Sequence, residues 1–393
     1  MSPPVHYDYD VIILGGGPAG LACALGLGGT GWHVALFEKD SYPRDKICGD
    51  ALGPDVLNML KRLPNHVYSS LLQLEGKHPV YGMQLWYPPS HSFSFDFRDR
   101  FGNEPAGYIL PRKDFDMMLW QCLKVYDNIE VFTGWPVDSA DAHPDAFRIS
   151  VAGKTYTARM GVVATGASSS LTRKFAGWTS LPHTFAFAVR SYFRGLKTEG
   201  PGDRLYFYFL KETLPGYFWI FPAGSGTYNV GMGLPVKEIE RRKMSLKKEF
   251  LALTGQHPVL EPVFRIAVMA APVMGHPLPY SGFCYPLSGN RCLLAGDAAG
   301  VVNPLTGEGV ANALRTGLLA AGHIAECLGA GDFCADRNKL YDRMVKQRIS
   351  RGLSLGKQLQ KLASHEKTVN LFFHVAAFFP PLKRWMKGLI HRL

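Results

Sequence analysis

Residues 9–38, YDVIILGGGPAGLACALGLGGTGWHVALFE, constrain more than any other stretch what this chain can fold into. Val11, Ile12, Ile13 and Leu14 form a short apolar run, the pattern of a strand buried on both faces of a parallel sheet. Gly15, Gly17 and Gly20 follow as G-x-G-x-x-G at the turn into an Ala- and Leu-rich helix. The first glycine permits the tight turn, the second lets backbone approach a pyrophosphate, and the third lets the helix sit close on the strand. The helix start offers free N–H groups and a partial positive charge to phosphates. Residues 33–37 form the next strand, which ends in Glu38. An acid there accepts both hydroxyls of an adenosine ribose and disfavours a 2′-phosphate. The stretch predicts a site for FAD or NAD.

The chain has 393 residues, 47% apolar and 19% charged, which suits one large domain or two joined ones. No apolar N-terminal segment precedes the first strand, and no run of about 18 uncharged apolar residues occurs. Seven cysteines without C-x-x-C spacing argue against a disulfide framework or a zinc site, so no metal is expected and a reducing cytoplasm is. The net charge of +11 is concentrated late: from Asp336 onward there are thirteen Lys/Arg against three Asp/Glu. No nucleic-acid motif accompanies them, and an anionic lipid surface is the better partner.

After Glu38 comes a turn-rich loop, in which Cys48 lies between Lys46 and Gly49. The neighbouring cations are expected to lower the thiol's pKa and make it reactive. Residues 54–74 read as helix and 79–98 as strands. Tyr108–Arg112 leads into another helix, with Arg112 placed to pair with a phosphate or a flavin-side polar group. Residues 129–132 and 147–151 read as short strands, and 160–170 as an apolar strand ending in Gly and hydroxylic residues. Between 183 and 233, aromatic β-favouring runs separated by Gly and Pro turns predict an antiparallel sheet whose one face lines an apolar cavity. Helix is expected near 237–253 and little regular structure over 256–290. A strand then ends in Gly296-Asp297, and Gly307–Val310 opens a long Ala-rich helix. Asp297 can accept from a sugar-alcohol hydroxyl, and the helix start can face an electron-rich ring edge. The basic last 60 residues carry apolar aromatic stretches at 369–381 and 382–390, suited to an element lying on a membrane or capping the substrate region.

Three elements together resemble the FAD-dependent enzymes of the para-hydroxybenzoate hydroxylase superfamily: Gly15–Gly20 with Glu38, Ala164-Thr165-Gly166, and Gly296-Asp297. Two further motifs resemble its geranylgeranyl reductase family. Pro43-x-x-Lys46-x-Cys48-Gly49 matches the P-x-x-K-x-C-x-G loop, departing from it at Asp50. Tyr217-x-Trp219-x-Phe221-Pro222, eight residues and Gly231-x-Gly233 match the family's substrate-cavity motif.

The resemblance implies an α/β fold: a Rossmann-like FAD-binding domain (1–78, 104–180 and 285–330), an interleaved antiparallel-sheet substrate domain (79–103 and 181–284) and a basic C-terminal helical region (331–393). It implies that Gly15, Gly17, Pro18, Ala19, Gly20, Glu38, Lys39, Lys46, Arg112, Ala164, Thr165, Gly166, Gly296, Asp297, Gly307, Gly309 and Val310 hold FAD. Cys48, Tyr206, Tyr217, Trp219, Phe221, Pro222, Gly231 and Gly233 would meet substrate, with Cys48 assisting protonation or positioning the alkene. The activity implied is saturation of C=C bonds in a long isoprenoid chain by hydride transfer from reduced FAD. Electrons would come from NAD(P)H or a reduced ferredoxin, and the enzyme would sit peripherally on the inner face of the membrane. The alternative is an FAD-dependent monooxygenase or halogenase, because Tyr217-x-Trp219-x-Phe221-Pro222 is also similar to the W-x-W-x-I-P motif of flavin halogenases.

Overall fold

The strand Tyr9–Leu14 is the centre of an eight-stranded sheet in the computed structural model, which describes residues 6–87, 91–177, 184–198, 200–280, 283–364 and 366–378. Val34–Glu38 pairs parallel on one side of it, with Leu14 opposite Phe37. Lys154–Val163 pairs parallel on the other, with Leu14 opposite Val163. Ile129–Thr133 and Cys292–Leu294 extend the parallel order outward. The chain therefore leaves the first strand in one direction and returns on its other side, which opens a crevice at the carboxyl ends of the strands. The helix Pro18–Leu27 covers the first strand with nine of its ten residues buried. Its other face packs on the 21-residue helix Val310–Ala330, where Ala and Gly predominate. A Cβ at Gly317 would lie 2.1 Å from the Ala19 carbonyl oxygen, so this contact is closer than any side chain permits.

The aromatic runs form a second eight-stranded sheet. Phe185–Arg194, Thr227–Pro235, Tyr217–Pro222 and Arg204–Tyr208 are antiparallel neighbours in that order. Gly82–Tyr87 joins them in parallel and His91–Asp96 closes that edge. Since side chains alternate across a strand, one face holds Tyr206, Tyr208, Phe218 and Ile220 in a core with Phe250 and Phe264. The other face carries Phe207, Tyr217, Trp219 and Phe221. A three-stranded sheet of Ala51–Leu52, Gly107–Ile109 and His78–Val80 is formed by strands interleaved in sequence with those of the two large sheets.

Several expectations are refined. The helix over 54–74 is two helices, Pro54–Leu60 and Asn65–Gln73, with Pro64 at the N-cap of the second. The helix near 237–253 is likewise two, Val236–Arg241 and Leu246–Gln256. The stretch 256–290 is more regular than its prolines suggest: Met274–Pro279 pairs with Phe185–Arg194 as an edge strand, where prolines cost no ladder bond. The C-terminal helices are Ala335–Leu362 and Glu366–Phe378, and the basic segment 382–390 lies outside the described residues. Among the described residues no helix is long and apolar enough to cross a membrane.

Candidate active site

The crevice at the strand ends is shaped for a dinucleotide. Gly15 has φ +101°, and a Cβ on it would stand 2.5 Å from the Ala164 oxygen across the switch point. A Cβ on Gly20 would stand 1.9 Å from the Gly15 oxygen, so the helix rests directly on the turn. A Cβ on Gly17 would meet nothing within 4 Å, which leaves open space over the start of the helix. That combination of two closed positions and one open one is what a pyrophosphate on backbone N–H groups requires. Ala164 N–H donates to the Leu14 carbonyl at 2.8 Å, which holds Ala164-Thr165-Gly166 beside the turn. The residues present therefore fit FAD.

Glu38 is buried at the end of its strand. Its Oε2 accepts from Gly16 N–H at 2.8 Å and from Arg44 at 3.3 Å, and its Oε1 accepts from Asp40 N–H at 3.1 Å. Arg44 also donates to Asp116 at 2.8 Å and to the Gly16 carbonyl at 2.9 Å, and the Tyr42 hydroxyl donates to that same carbonyl. Asp116, fully buried, accepts a bidentate pair from Arg112 at 2.8 and 2.7 Å. Arg112 is thus a buried residue, and its charge is shared with a carboxylate four residues along its own helix. Arg44, Tyr42 and Asp116 were not anticipated. Asp116 falls within a helix of mixed polarity, RKDFDMMLWQ, where its type gave it no more weight than a solvent-facing acid. Lys39, by contrast, is exposed and pairs loosely with Asp40 at 3.7 Å.

A cavity of about 490 Å³ continues from this crevice toward the second sheet. Pro18, Lys46, Cys48, Arg112, Asp297, Gly307, Gly309 and Val310 line one end. Tyr217, Trp219, Phe221, Gly233 and Phe207 line the body. Lys46 Nζ donates to Asp297 at 2.7 Å, and that cation holds the Asp297 carboxyl below the usual range although burial opposes it. The Tyr217 hydroxyl donates to the Thr306 carbonyl, which ties the aromatic strand to the turn before the long helix. Trp219 Nε1 donates to Asn229 at 3.0 Å. Asn229 Nδ2 in turn donates to the Cys48 carbonyl at 2.8 Å and to Asp50 at 2.7 Å. The Cys48 loop is therefore pinned to the aromatic sheet. Asp50 has φ +63°, the left-handed region that a glycine would occupy without strain, and its carboxyl is fully buried.

Four site expectations change on contact with this geometry. Tyr206 faces the opposite core and donates its hydroxyl to the Pro201 carbonyl at 2.8 Å. The pairing of Phe207 with Trp219 gives the cavity face to its neighbour Phe207. Pro222 shares the parity of Phe218 and Ile220 and does not reach the cavity. Gly231 lies beneath Trp219, where a Cβ would be 2.2 Å from the indole, so it makes room for that ring. The thiol of Cys48 behaves oppositely to expectation: burial pushes it up, and the nearby Arg112 and Lys46 only partly offset this. Ala19 and Gly296 are buried in the packing between the first helix and the strand ends.

The C-terminal helices contribute Leu359, Gln360, Leu362, Ala363, Thr368 and Phe372 to the cavity wall. The capping alternative describes their inner side. On their outer side Leu371 and Val375 are 65% and 42% exposed.

Residues 188–264 match the geranylgeranyl reductase catalytic domain, and residues 9–192 match the pyridine nucleotide-disulphide oxidoreductase domain. A menaquinone reductase of Mycolicibacterium smegmatis is 28% identical over 378 residues, covering 90% of this chain and 84% of that protein. A digeranylgeranylglycerophospholipid reductase of Methanoculleus marisnigri is 30% identical over 352 residues, covering 85% and 81%. In three dimensions a geranylgeranyl bacteriochlorophyll reductase-like protein from Thermoplasma acidophilum superposes with TM-score 0.77 at 22% identity, over 97% of this chain and 99% of that one. A halogenase, PltM, crystallised as a mutant with FAD, superposes with TM-score 0.74 at 16% identity over 97% and 86%, which shows a shared fold. The nucleotide crevice, the Cys48 loop pinned to an aromatic sheet, and relatives matched over more than four fifths of their length converge: the chain belongs to the geranylgeranyl reductase family of FAD-dependent oxidoreductases.

Proposed function

We propose that this enzyme saturates C=C bonds in the isoprenoid chain of a lipid. The observation that carries the reading is the apolar, aromatic-walled cavity that opens beside Cys48 and the Gly307–Gly309 turn. Bound FAD in its reduced form supplies a hydride to such a bond. An isolated alkene offers no carbonyl for the protein to polarise, so the residues act by holding the chain and excluding water. Phe207 packs edge-on to Tyr217 and Phe221 at 5.3 and 5.2 Å, a wall fit for an unbranched or methyl-branched apolar chain. Gly15, Gly17, Gly20 and Glu38 would hold the nucleotide half of FAD, Asp297 its sugar-alcohol hydroxyls, and the Gly307–Gly309 turn its ring edge. Cys48, carrying a neutral thiol, would position the alkene. In this division the parallel sheet serves the cofactor, the aromatic sheet the substrate, and the C-terminal helices close the cavity.

The matched relatives are named for a quinone and for a phospholipid with prenyl chains, which supports a membrane lipid as substrate. The exposed Leu371 and Val375, within a strongly basic C-terminal sequence, support extraction of that lipid from an anionic membrane surface. NAD(P)H or a reduced ferredoxin would reload the flavin. The test is anaerobic: the dithionite-reduced enzyme is mixed with a menaquinone or a geranylgeranyl phospholipid, and flavin reoxidation is followed with product mass. Reoxidation with a gain of two hydrogens per bond supports the reading. A flavin that stays reduced until air is admitted refutes it for those lipids and favours oxygen chemistry.

A further inference from the structure

We propose that Glu308 is the acid that gives the proton to the substrate in this reduction. The proposal rests on the reductase reading above and names the residue that completes it. Hydride addition to one alkene carbon requires a proton at the other, and the cavity offers few groups able to supply one. Lys46 is held by Asp297 and Arg112 by Asp116. Burial pushes the pKa of His276 down to about 4, so its imidazole is neutral and has no proton to give near pH 7. The Tyr217 hydroxyl is committed to the Thr306 carbonyl, and burial pushes its pKa up. The Cys48 thiol is raised in the same way.

Glu308 is set apart by its position and by an unpartnered carboxyl oxygen. It lines the cavity at the turn between Gly307 and Gly309. Its backbone is fixed at both ends: the N–H donates to Thr306 Oγ1 at 3.3 Å, and the carbonyl accepts from Asn303 N–H at 2.9 Å. Its Oε1 is buried and has no hydrogen-bond partner among the described residues. An ionised carboxylate with an unsolvated oxygen is costly there, whereas a carboxylic acid is not. Two charged groups around it act in opposite senses. Asp55, on the helix Pro54–Leu60, disfavours a second negative charge. Arg315, on the following helix Val310–Ala330, favours one, but both of its contacts to Asp55, at 2.7 and 2.8 Å, tie its charge to that partner. Tyr217 and Gln360 face the turn as neutral groups, the latter donating to the Pro304 carbonyl at 2.6 Å. With burial the largest cause, the Glu308 carboxyl is pushed up to about 8. A general acid is most effective when its pKa lies near the working pH.

In the step, the Glu308 O–H bond breaks and its proton forms a C–H bond with the alkene π electron pair. The other alkene carbon receives the hydride, so the substrate gains two electrons and the reduced FAD loses two. Glu308 is left as a carboxylate and regains its proton from water before the next turnover.

The test uses the full-length FAD-loaded chain and its Glu308→Gln and Glu308→Asp variants. Infrared difference spectra between wild type and E308Q, taken from about pH 6 to about pH 10, read the protonated carboxyl directly and need no turnover. A carboxylic-acid carbonyl band should be present at neutral pH, titrate near pH 8, and be missing in E308Q. In anaerobic single turnover with the prenyl lipid, the wild-type rate should fall above about pH 8. E308Q should be slower by at least about 100-fold and lose that limb, and E308D should recover part of the rate. An absent band at neutral pH, or an E308Q rate within about threefold of wild type with the same pH profile, overturns the proposal while the reductase reading stands. Failure of the wild type itself to form saturated product overturns both.

Discussion

Asp50→Asn should abolish one pH-dependent component of stability and leave the fold intact. Asp50 is fully buried; its Oδ2 accepts from the Tyr192 hydroxyl at 2.5 Å and from Asn229 at 2.7 Å, while Oδ1 has no partner. Burial raises the carboxyl from 3.8 to about 6, against the opposing effect of those two donors. Between these two values the folded chain holds a proton that the unfolded chain has released. Stability from this group is therefore full below about pH 3.8 and lost as pH rises through about 6, by roughly 3 kcal/mol for a shift of about two units. Asn keeps an acceptor for Tyr192 and Asn229 and places an amide N–H₂ where Oδ1 lies, at a pH-independent cost of about 1–3 kcal/mol. The stability of D50N relative to wild type should thus improve by about 3 kcal/mol between about pH 4 and pH 7. At about 2.1 cal/mol/K per residue over 393 residues, this is near 4 °C in melting temperature. Melting both proteins at saturating FAD across that range is the assay, since groups common to the two cancel in the difference. A difference that stays constant with pH would refute the reasoning.

Three further outcomes are expected. Gly17→Val fills the open groove over the first helix, so FAD occupancy by absorbance should fall about tenfold or more while circular dichroism of the chain is unchanged. Arg112→Ala leaves Asp116 buried with Arg44 as its remaining partner, and urea unfolding should reveal a loss of about 3–5 kcal/mol. Replacing both Leu371 and Val375 with Glu should weaken co-sedimentation with anionic vesicles by about tenfold or more, with product formation from a detergent-dispersed short-chain substrate much less affected.

The cofactor crevice was legible in the sequence because its determinants are local. A strand, a glycine turn and an acid lie within 30 residues, and each glycine has a single geometric reason. The aromatic sheet was legible as a sheet, but which face each ring takes depends on register, and register is set by pairing across distant strands. Tyr206 and Phe207 are adjacent and equally aromatic; only their pairing opposite Ile220 and Trp219 separates core from cavity. Charge state was the least legible property. Lys46 and Arg112 near Cys48 suggest a reactive thiolate until burial is known, and burial is a property of the whole fold. The burial of Glu308 and of Asp50 was illegible for the same reason, since neither an acid between two glycines nor an acid in a loop indicates in one dimension that water is excluded around it.

The cavity wall draws residues from Pro18 through to Phe372. During synthesis the aromatic sheet face therefore exists long before the helices that shut it have left the ribosome. Until then Phe207, Tyr217 and Trp219 form an open, sticky surface of the kind that other nascent chains and chaperones bind. A chain cut short before about residue 359 would keep its nucleotide fingerprint and both sheets, yet present its lipid chamber as an aggregation-prone slot. The last helices thus act as the quality mark of a finished molecule as well as one wall of its chamber.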